Sequence, residues 1–322
     1  MRGLLIAAGL ALAAPLFAQS STPVHTKGPP PPFAQATDND YVLLADWGAA
    51  IERERPAGWA LDEHRKLARS LAAVQPGRKG VVDAFVVVAA LDSDPVFGRE
   101  ARETARVLAR RYGAEGRTAV LAGGDGRAPA VLPMGSPAAL AATLARVAEA
   151  MQPKEDVLIL YLTAHGGPFG VVYNDGDAGY GAISPYRLWS TLRELGIERR
   201  MLLVSACYSG VFVPLLATPD SVVVTAASAD RTSFGCRSDN DWTFFGDALI
   251  NRAMRKPLGI TLAFDEAKSM IGGWEAGGRL TPSNPQIAVG ADAGRWLTVL
   301  DARMPKTASA PVGRPATDAL RP

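Results

Sequence analysis

Two uninterrupted apolar runs, separated by the pattern of one helix, constrain the fold of this chain most. They cover residues 157–162 and 201–204, and the second run leads into the small residues Ser205 and Ala206. Apolar runs without polar alternation are typical of strands buried on both faces, as in a parallel sheet. Residues 184–195 between them have the length and the start signal of one crossover helix. The two runs are therefore predicted to be neighbouring parallel strands.

Each of these predicted strands ends next to a residue that can do chemistry. His165 follows the first strand and Cys207 follows the second. Ligands of open α/β sheets bind at the carboxyl ends of the strands, so both residues are expected at that edge. A histidine close to a cysteine is the minimal pair for thiol nucleophilic catalysis. The alternative for Cys207 is a buried core thiol, because free cysteine is among the most buried residue types.

The two strand ends and a third segment resemble the legumain-like cysteine peptidases of the caspase-like clan. In that family one hydrophobic strand ends in His-Gly and a second ends in Ala-Cys. The matching positions here are residues 164–166 and 205–210, followed by the third segment at residues 223–228, 230–236 and 245–247. The resemblance runs from about residue 81 to about residue 247.

The resemblance implies a caspase-like fold, an α/β three-layer αβα sandwich around a mostly parallel sheet. The alternation of strand and helix patterns between residues 81 and 254 predicts the same layers independently. The resemblance further implies Cys207 as nucleophile and His165 as general acid and base. The backbone N–H groups of Gly166 and Cys207 are the expected oxyanion hole.

The resemblance also implies a substrate pocket made of Arg99, Tyr208, Ser228 and Asp247. Arg99 matches the arginine of the legumain specificity pocket, and Asp247 matches a later aspartate of that pocket. Tyr208 stands directly after the nucleophile, where legumains have an acid. A pocket between Arg99 and Asp247 would suit asparagine, or aspartate at acidic pH. The alternative for Arg99 is a solvated arginine at the start of a helix. The alternative for Asp247 is an acid that caps a helix or lies on its surface.

The leading hypothesis for function is a cysteine endopeptidase that works through a thioester acyl-enzyme. A transpeptidase or ligase would use the same two residues, with an amine in place of water. A non-catalytic binding protein would retain only the fold, and the presence of both His165 and Cys207 speaks against it. The expected partner is a peptide or protein substrate. A net charge of +2 gives no indication of a nucleic-acid surface.

No cofactor or metal site is predicted from the sequence. His25 and His64 lie away from any predicted strand end, and the two cysteines have no CxxC spacing. The glycine-rich turn at residues 123–126 does not fit a phosphate-binding loop. In an oxidising compartment a Cys207–Cys236 bridge would block the nucleophile, and a packed thiol is the alternative for Cys236.

The ends of the chain predict an exported protein, periplasmic or extracellular. Residues 1–18 have the basic start, apolar centre and small-residue end of a signal peptide. An uncleaved membrane anchor is the alternative, although the apolar run is short for a bilayer. Residues 19–36 contain four consecutive prolines and are predicted to be an extended linker. The peptidase domain is expected at residues 37–302, with an N-terminal extension (37–80) that is alternatively a prosegment. Residues 303–322 are predicted to be a disordered tail.

Outside the two apolar runs, the patterns predict a strand at residues 81–91 and helices at residues 99–111 and 243–254. Short strands are predicted at residues 41–44 and 296–300. A hairpin arm at residues 170–173 is predicted to lead into a turn at residues 174–176.

Overall fold

The structure is a computed structural model that describes residues 33–126, 130–176 and 178–320. The predicted signal peptide (1–18) and all but the last residues of the predicted linker (19–36) lie outside the described residues.

The described residues form ten strands and eight α-helices. The strands are β1 (Ala50–Glu52), β2 (Ala84–Ala90), β3 (Thr118–Leu121), β4 (Val157–Thr163), β5 (Gly166–Gly167), β6 (Gly170–Asp175), β7 (Gly179–Ile183), β8 (Arg200–Ser205), β9 (Ser221–Thr225) and β10 (Gln286–Val289). The helices are α1 (Asp38–Asp46), α2 (Ala57–Ala72), α3 (Pro95–Tyr112), α4 (Pro137–Ala150), α5 (Pro185–Glu194), α6 (Val213–Leu216), α7 (Ile260–Gly277) and α8 (Gly294–Ala302). A π-helix covers Gly246–Arg252, within the predicted helix at residues 243–254.

Six strands form the central sheet, in the order β3-β2-β4-β8-β9-β10. The first five are parallel, and β10 runs antiparallel to β9 at the edge. Strand β4 therefore lies directly beside β8, as the two apolar runs predict. The helix between them, α5, begins after Ser184, whose side chain accepts a hydrogen bond from the N–H of Arg187.

Successive side chains of the central strands point into two separate hydrophobic cores. In β2, Val86 and Val88 face a core shared with α3, α7 and α8, whereas Phe85 and Val87 face a core shared with α4 and α5. Every residue of β2 is buried. Both faces must be apolar when helices cover both sides of a sheet, which is why these runs show no polar alternation. The predicted three-layer αβα architecture is confirmed.

A second, antiparallel sheet lies beyond His165, with the strand order β1-β7-β6-β5. Its centre is the β6–β7 hairpin, which confirms the hairpin predicted from residue 170 onward. The N-terminal extension adds β1 to the edge of this sheet. The ring of Tyr41 in α1 stacks on Phe169, with 4.8 Å between ring centroids. The extension therefore packs against the segment that follows His165.

The prediction of short strands at residues 41–44 and 296–300 is wrong. Residues 41–44 belong to α1, where the N-cap Thr37 and Asp40 form a reciprocal capping box. Residues 296–300 belong to α8, which buries Trp296 and Leu300. Apolar runs this short do not show whether their period is two or 3.6, so periodicity alone could not separate helix from strand.

The predicted disorder of the tail is wrong for residues 303–320. Ala316 is 1% exposed, and the backbone of Val312 forms hydrogen bonds with the side chains of Trp242 and Asn251. The tail is held mainly by its backbone while most of its side chains remain exposed. Composition describes side chains, so it gave no indication of this docking.

Candidate active site

His165 and Cys207 lie at the same edge of the central sheet, on neighbouring strands. Strands β4 and β8 pair in parallel, with Thr163 opposite Ser205. Each of the two candidate catalytic residues stands two positions beyond this pair. The carboxyl edge of the sheet therefore brings the imidazole and the thiol to the same level, where ligands of such sheets bind.

The turn after His165 lies directly against the backbone of Cys207. A Cβ atom at Gly166 would collide with the carbonyl oxygen of Cys207 and would lie 3.0 Å from the Cβ of Ala206. Only glycine fits this approach. The His-Gly and Ala-Cys motifs are thus packed backbone to backbone.

His165 contacts a carboxylate that precedes α3. Its Nε2 lies 3.5 Å from Asp94 Oδ2, and its ring meets Phe97 edge-on with 5.1 Å between centroids. Asp92 Oδ1 accepts a hydrogen bond from the N–H of Asp94 and holds that residue in place. The His165 side chain is 41% exposed, so one side of the ring can reach a substrate. The sequence reasoning missed Asp94, although both acids stand where the β2 strand pattern ends.

Donor atoms of Asp92, Asp94 and His165 lie within 4.8 Å of one another. Among the described residues this group has the donor spacing of a metal site. The same contacts orient an imidazole for proton transfer, because a carboxylate beside a histidine fixes the ring and stabilises its charged form.

Cys207 begins a tight turn. Tyr208, the next residue, has a left-handed backbone with φ 56°, which is unusual for a non-glycine residue and occurs mostly at functional sites. The N–H of Tyr208 donates to the carbonyl of Arg231 at 2.7 Å, so the loop after β9 holds the turn. From the same loop, the N–H of Ser233 donates to Cys207 Sγ at 3.3 Å.

The two predicted oxyanion donors have backbone N–H groups that are available to a substrate. Val172 donates to the carbonyl of His165, so Gly166, the next residue of this antiparallel pair, points its N–H away from β6. Within the described ranges, the N–H of Cys207 donates to no backbone carbonyl.

Arg99 lies in the second turn of α3 and not at its start. Its guanidinium donates to the carbonyls of Asp125, Ser238 and Asn240 and forms an ion pair with Asp241 at 3.2 Å. The side chain is 11% exposed, so the alternative of a solvated arginine is wrong. Arg99 organises the loop at residues 235–241, and Asp241 is its carboxylate partner.

Asp247 does not form the negative wall of a pocket, and that prediction is wrong. The residue is 0% exposed and lies in the π-helix. Its carboxylate accepts hydrogen bonds from Asn251, Arg252 and the N–H of Ala316. A buried carboxylate needs such partners, and the sequence could not show that the tail and the helix supply them.

Ser228 lies beside the turn that follows Cys207, but its hydroxyl belongs to its own loop. Its Oγ donates to Asp230 at 2.6 Å, and its N–H donates to the carbonyl of Ser283. The backbone of Ser228 contacts Gly210 so closely that a Cβ there would collide with it. Ser228 therefore supports the turn of the nucleophile.

Glu100, a second acid that the sequence reasoning missed, contacts strand β4 directly and strand β8 through Thr243. Its Oε1 accepts from the hydroxyls of Tyr161 and Thr163, at 2.7 and 2.8 Å, and its Oε2 accepts from the N–H of Thr243 at 2.7 Å. Thr243 Oγ1 lies 3.1 Å from Ser205 Oγ. Burial and the charge of Glu100 raise the pKa of Tyr161. The sequence feature that could have indicated Glu100 is the position of an acid on the apolar face of the predicted helix.

The second cysteine, Cys236, is a free thiol like Cys207. It packs against the core that α3 and α7 share. Burial raises the pKa of the Cys236 thiol well above its usual range, and the neighbouring Cys207 adds to the effect. Both thiols are partly buried, Cys207 in the turn after β8 and Cys236 in the loop after β9.

In the part of the chain that the structure describes, no helix has the length and apolar character needed to cross a membrane.

Comparisons with known proteins give a similar solved structure and a family match. The crystal structure of caspase-1 from Spodoptera frugiperda is similar to this chain, with a TM-score of 0.43, 14% sequence identity, and coverage of 67% of this chain and 89% of that chain. No curated protein matches the sequence. Residues 135–277, which include both His165 and Cys207, match the peptidase C13 family. This match confirms the resemblance to the legumain-like cysteine peptidases.

Proposed function

We propose that this protein is an endopeptidase that cleaves peptide bonds with a dyad of Cys207 and His165. One observation carries the proposal: both residues follow registered neighbouring strands, and the backbone of Gly166 packs against Cys207. This arrangement supports nucleophilic attack by a thiol that a histidine activates. The match of residues 135–277 to the peptidase C13 family supports the same class of reaction.

In the proposed reaction, His165 takes the proton of the Cys207 thiol, and the sulfur attacks the carbonyl carbon of the substrate. The carbon–nitrogen bond then breaks, and His165 donates the proton to the leaving amine. The resulting thioester is cleaved by water, which gives a proton to His165 as it attacks. The acid product leaves, and the thiol regains the proton. Asp94 stabilises the positive charge that His165 carries between these transfers.

The oxyanion that forms during each attack needs donors in fixed positions. The backbone N–H groups of Gly166 and Cys207 have this role in the proposal. Both belong to segments whose backbones are in contact, so they need little rearrangement when the charge develops.

Preference for asparagine or aspartate before the cleaved bond rests on the family resemblance alone. Arg99 and Asp247 do not form opposite sides of a substrate pocket, because Asp247 is fully buried. The acid that pairs with Arg99 is Asp241. A peptide library scanned at the residue before the cut tests the preference, which fails if asparagine and aspartate peptides are cleaved no faster than others.

The proposed site of action is outside the cytoplasm, in a periplasm or in the extracellular space. The apolar leader at residues 1–18 supports export. The N-terminal sequence of protein purified from an expressing bacterium tests this. A mature chain that still begins at Met1 would contradict export with cleavage.

The decisive experiment combines covalent labelling with hydrolysis. We expect a peptidyl acyloxymethylketone to label Cys207, and Cys207→Ala and His165→Ala each to abolish peptide cleavage while thermal melting shows a folded protein. Cys236→Ala is the matched control and retains both labelling and cleavage. Cleavage by Cys207→Ala would identify another nucleophile, and failure to label the folded protein would favour a binding protein. Product masses with an added amine separate hydrolysis from transpeptidation.

A further inference from the structure

The last described segment of the chain lies in a groove made by four buried side chains. We call it the tail groove, and it is formed by Asp241, Trp242, Asp247 and Asn251. Each of the four is at least nine-tenths buried. The side chains of Val312 and Arg314 in the bound segment are exposed instead. The groove therefore binds the backbone of the tail and not its side chains.

Every second backbone N–H of the bound segment donates a hydrogen bond to the tail groove. The N–H groups of Val312, Arg314 and Ala316 each donate at 2.9 Å, and their acceptors are Asn251, Asp241 and Asp247 respectively. The carbonyl of Val312 accepts from the indole N–H of Trp242 at 2.9 Å and from the amide of Asn251 at 3.0 Å. Side-chain oxygens here replace the carbonyls of a neighbouring strand. Recognition of this kind accepts many side chains.

One position of the bound segment is restricted to glycine. Gly313 has φ 76°, in the left-handed region. A Cβ atom there would lie 3.0 Å from Asp241 Oδ2 and 3.2 Å from Trp242 Nε1. The tail groove therefore requires a glycine directly after the residue that Asn251 binds through both its N–H and its carbonyl.

The tail groove is connected to the catalytic histidine through the loop at residues 235–241. Asp241 bonds Arg314 through one oxygen and pairs with Arg99 through the other. Arg99 in turn binds the carbonyl of Ser238. The hydroxyl of Ser238 donates to Asp94 Oδ1 at 3.2 Å, and the other oxygen of Asp94 faces His165.

We propose that the tail groove is a binding site for a bent peptide segment with glycine at its second position, and that residues 312–316 of this chain are its ligand. When the tail occupies the groove, it holds the loop at residues 235–241 in place. The hydroxyl of Ser238 in this loop then stays hydrogen-bonded to Asp94. An empty groove would cost Asp247 Oδ2 and Asn251 Oδ1 one donor each, although Arg252 and Arg255 still donate to them. It would also remove the Val312 carbonyl from the indole N–H of Trp242, which favours the bound state. The effect on catalysis rests on the proposed peptidase function, whereas the binding does not.

The first test is Gly313→Ala in the full-length chain, with Gly80→Ala as the matched control. Gly80 has φ 77°, but a Cβ there would meet nothing within 4 Å. Both changes place a Cβ atom on a backbone with a left-handed φ, and only Gly313→Ala brings that Cβ into tight contact with the groove. We expect hydrogen exchange at the amides of Val312, Arg314 and Ala316 to speed up at least about tenfold in Gly313→Ala alone. Unchanged protection in that variant would overturn the site.

The second test adds a synthetic peptide with the sequence of residues 309–320 to the Gly313→Ala protein. We expect saturable binding, seen in the fluorescence of Trp242, and no binding of the same peptide carrying the Gly313→Ala change. Trp242→Phe removes only the indole donor and gives a milder variant, in which the Val312 amide should exchange faster. Equal binding of both peptides would contradict the glycine requirement.

The third test is the rate of peptide cleavage. We expect kcat/KM of Gly313→Ala to fall about tenfold and to recover with the wild-type peptide. Unchanged kcat/KM in a variant whose tail is released would overturn the link to the active site. If the parent protein cleaves no peptide and takes no active-site label, the proposed function fails, and the exchange and binding measurements still decide the groove.

Discussion

Asp94 Oδ2 lies 3.5 Å from His165 Nε2, at the point where the loop after β2 enters α3. Two hydrogen bonds fix Asp94 in this position. Its other carboxylate oxygen accepts from the hydroxyl of Ser238, and its backbone N–H donates to Asp92. In the proposed mechanism, a negative charge in this position stabilises the imidazolium that forms when His165 takes the thiol proton. Asp94 is therefore a positioning residue for the histidine.

Asp94→Asn should lower kcat about 10- to 100-fold and leave KM nearly unchanged. The amide keeps the size of the carboxylate but loses the charge that favours the protonated ring. Steady-state kinetics with a peptide substrate measures both parameters. Asp230→Asn is the control, since Asp230 is an acid on the loop near Cys207 that pairs with Arg231 and Ser228. Equal losses in the two variants would contradict a specific role for Asp94.

Glu100→Gln should lower kcat about 10- to 100-fold by loosening both catalytic strands. Glutamine offers one acceptor oxygen where the carboxylate accepts from two hydroxyls and the N–H of Thr243. The free energy of unfolding should also fall, by about 1–3 kcal/mol.

Kinetics well below the melting temperature separates these two effects of Glu100. Glu103→Gln is the matched control on the same helix, because Glu103 pairs with Arg106 and Arg255 and touches neither catalytic strand. A fully folded Glu100→Gln protein with the parent kcat would rule out positioning.

Cys236→Ala should reduce the loss of stability at alkaline pH. The folded state raises the pKa of this thiol, so above about pH 8.5 the unfolded chain releases the proton while the folded chain keeps it. Stability therefore falls with rising pH, by up to about 1.4 kcal/mol per pH unit from this group. Urea unfolding between pH 8 and 10 compares the slopes of parent and variant. Parallel slopes would contradict an enclosed thiol.

Asp247→Asn should cost about 3 kcal/mol of unfolding free energy without changing which residue is preferred before the cut. The loss comes from Arg252 and the N–H of Ala316, whose charged partner disappears. Urea unfolding and a peptide library measure the two quantities. Asp239→Asn, at an exposed ion pair with Arg237, should change neither. A shifted preference in Asp247→Asn would restore Asp247 to the substrate pocket.

The sequence could predict the layers of this fold because burial on both faces leaves a local record. A strand covered by helices on both sides is buried at every position and therefore mostly apolar, as β2 and β4 are. Reactive residues directly after such strands lie at the carboxyl edge, so His165 and Cys207 could be selected without coordinates. Short apolar runs do not distinguish a strand from a helix. For that reason the pattern predicts strands at residues 41–44 and 296–300, which are helical.

Tertiary structure alone decided the surroundings of the charged residues, because their partners lie far away in the chain. Arg99 binds a carbonyl 141 residues later, and Glu100 accepts from Thr243, 143 residues later. Asp247 is closed off by the N–H of Ala316, in a tail whose composition predicted disorder. A buried charge is stable only with such partners, and pairing between distant segments leaves no periodic pattern to read. The sequence therefore determined which strands carry the reactive residues, and packing decided which acids serve them.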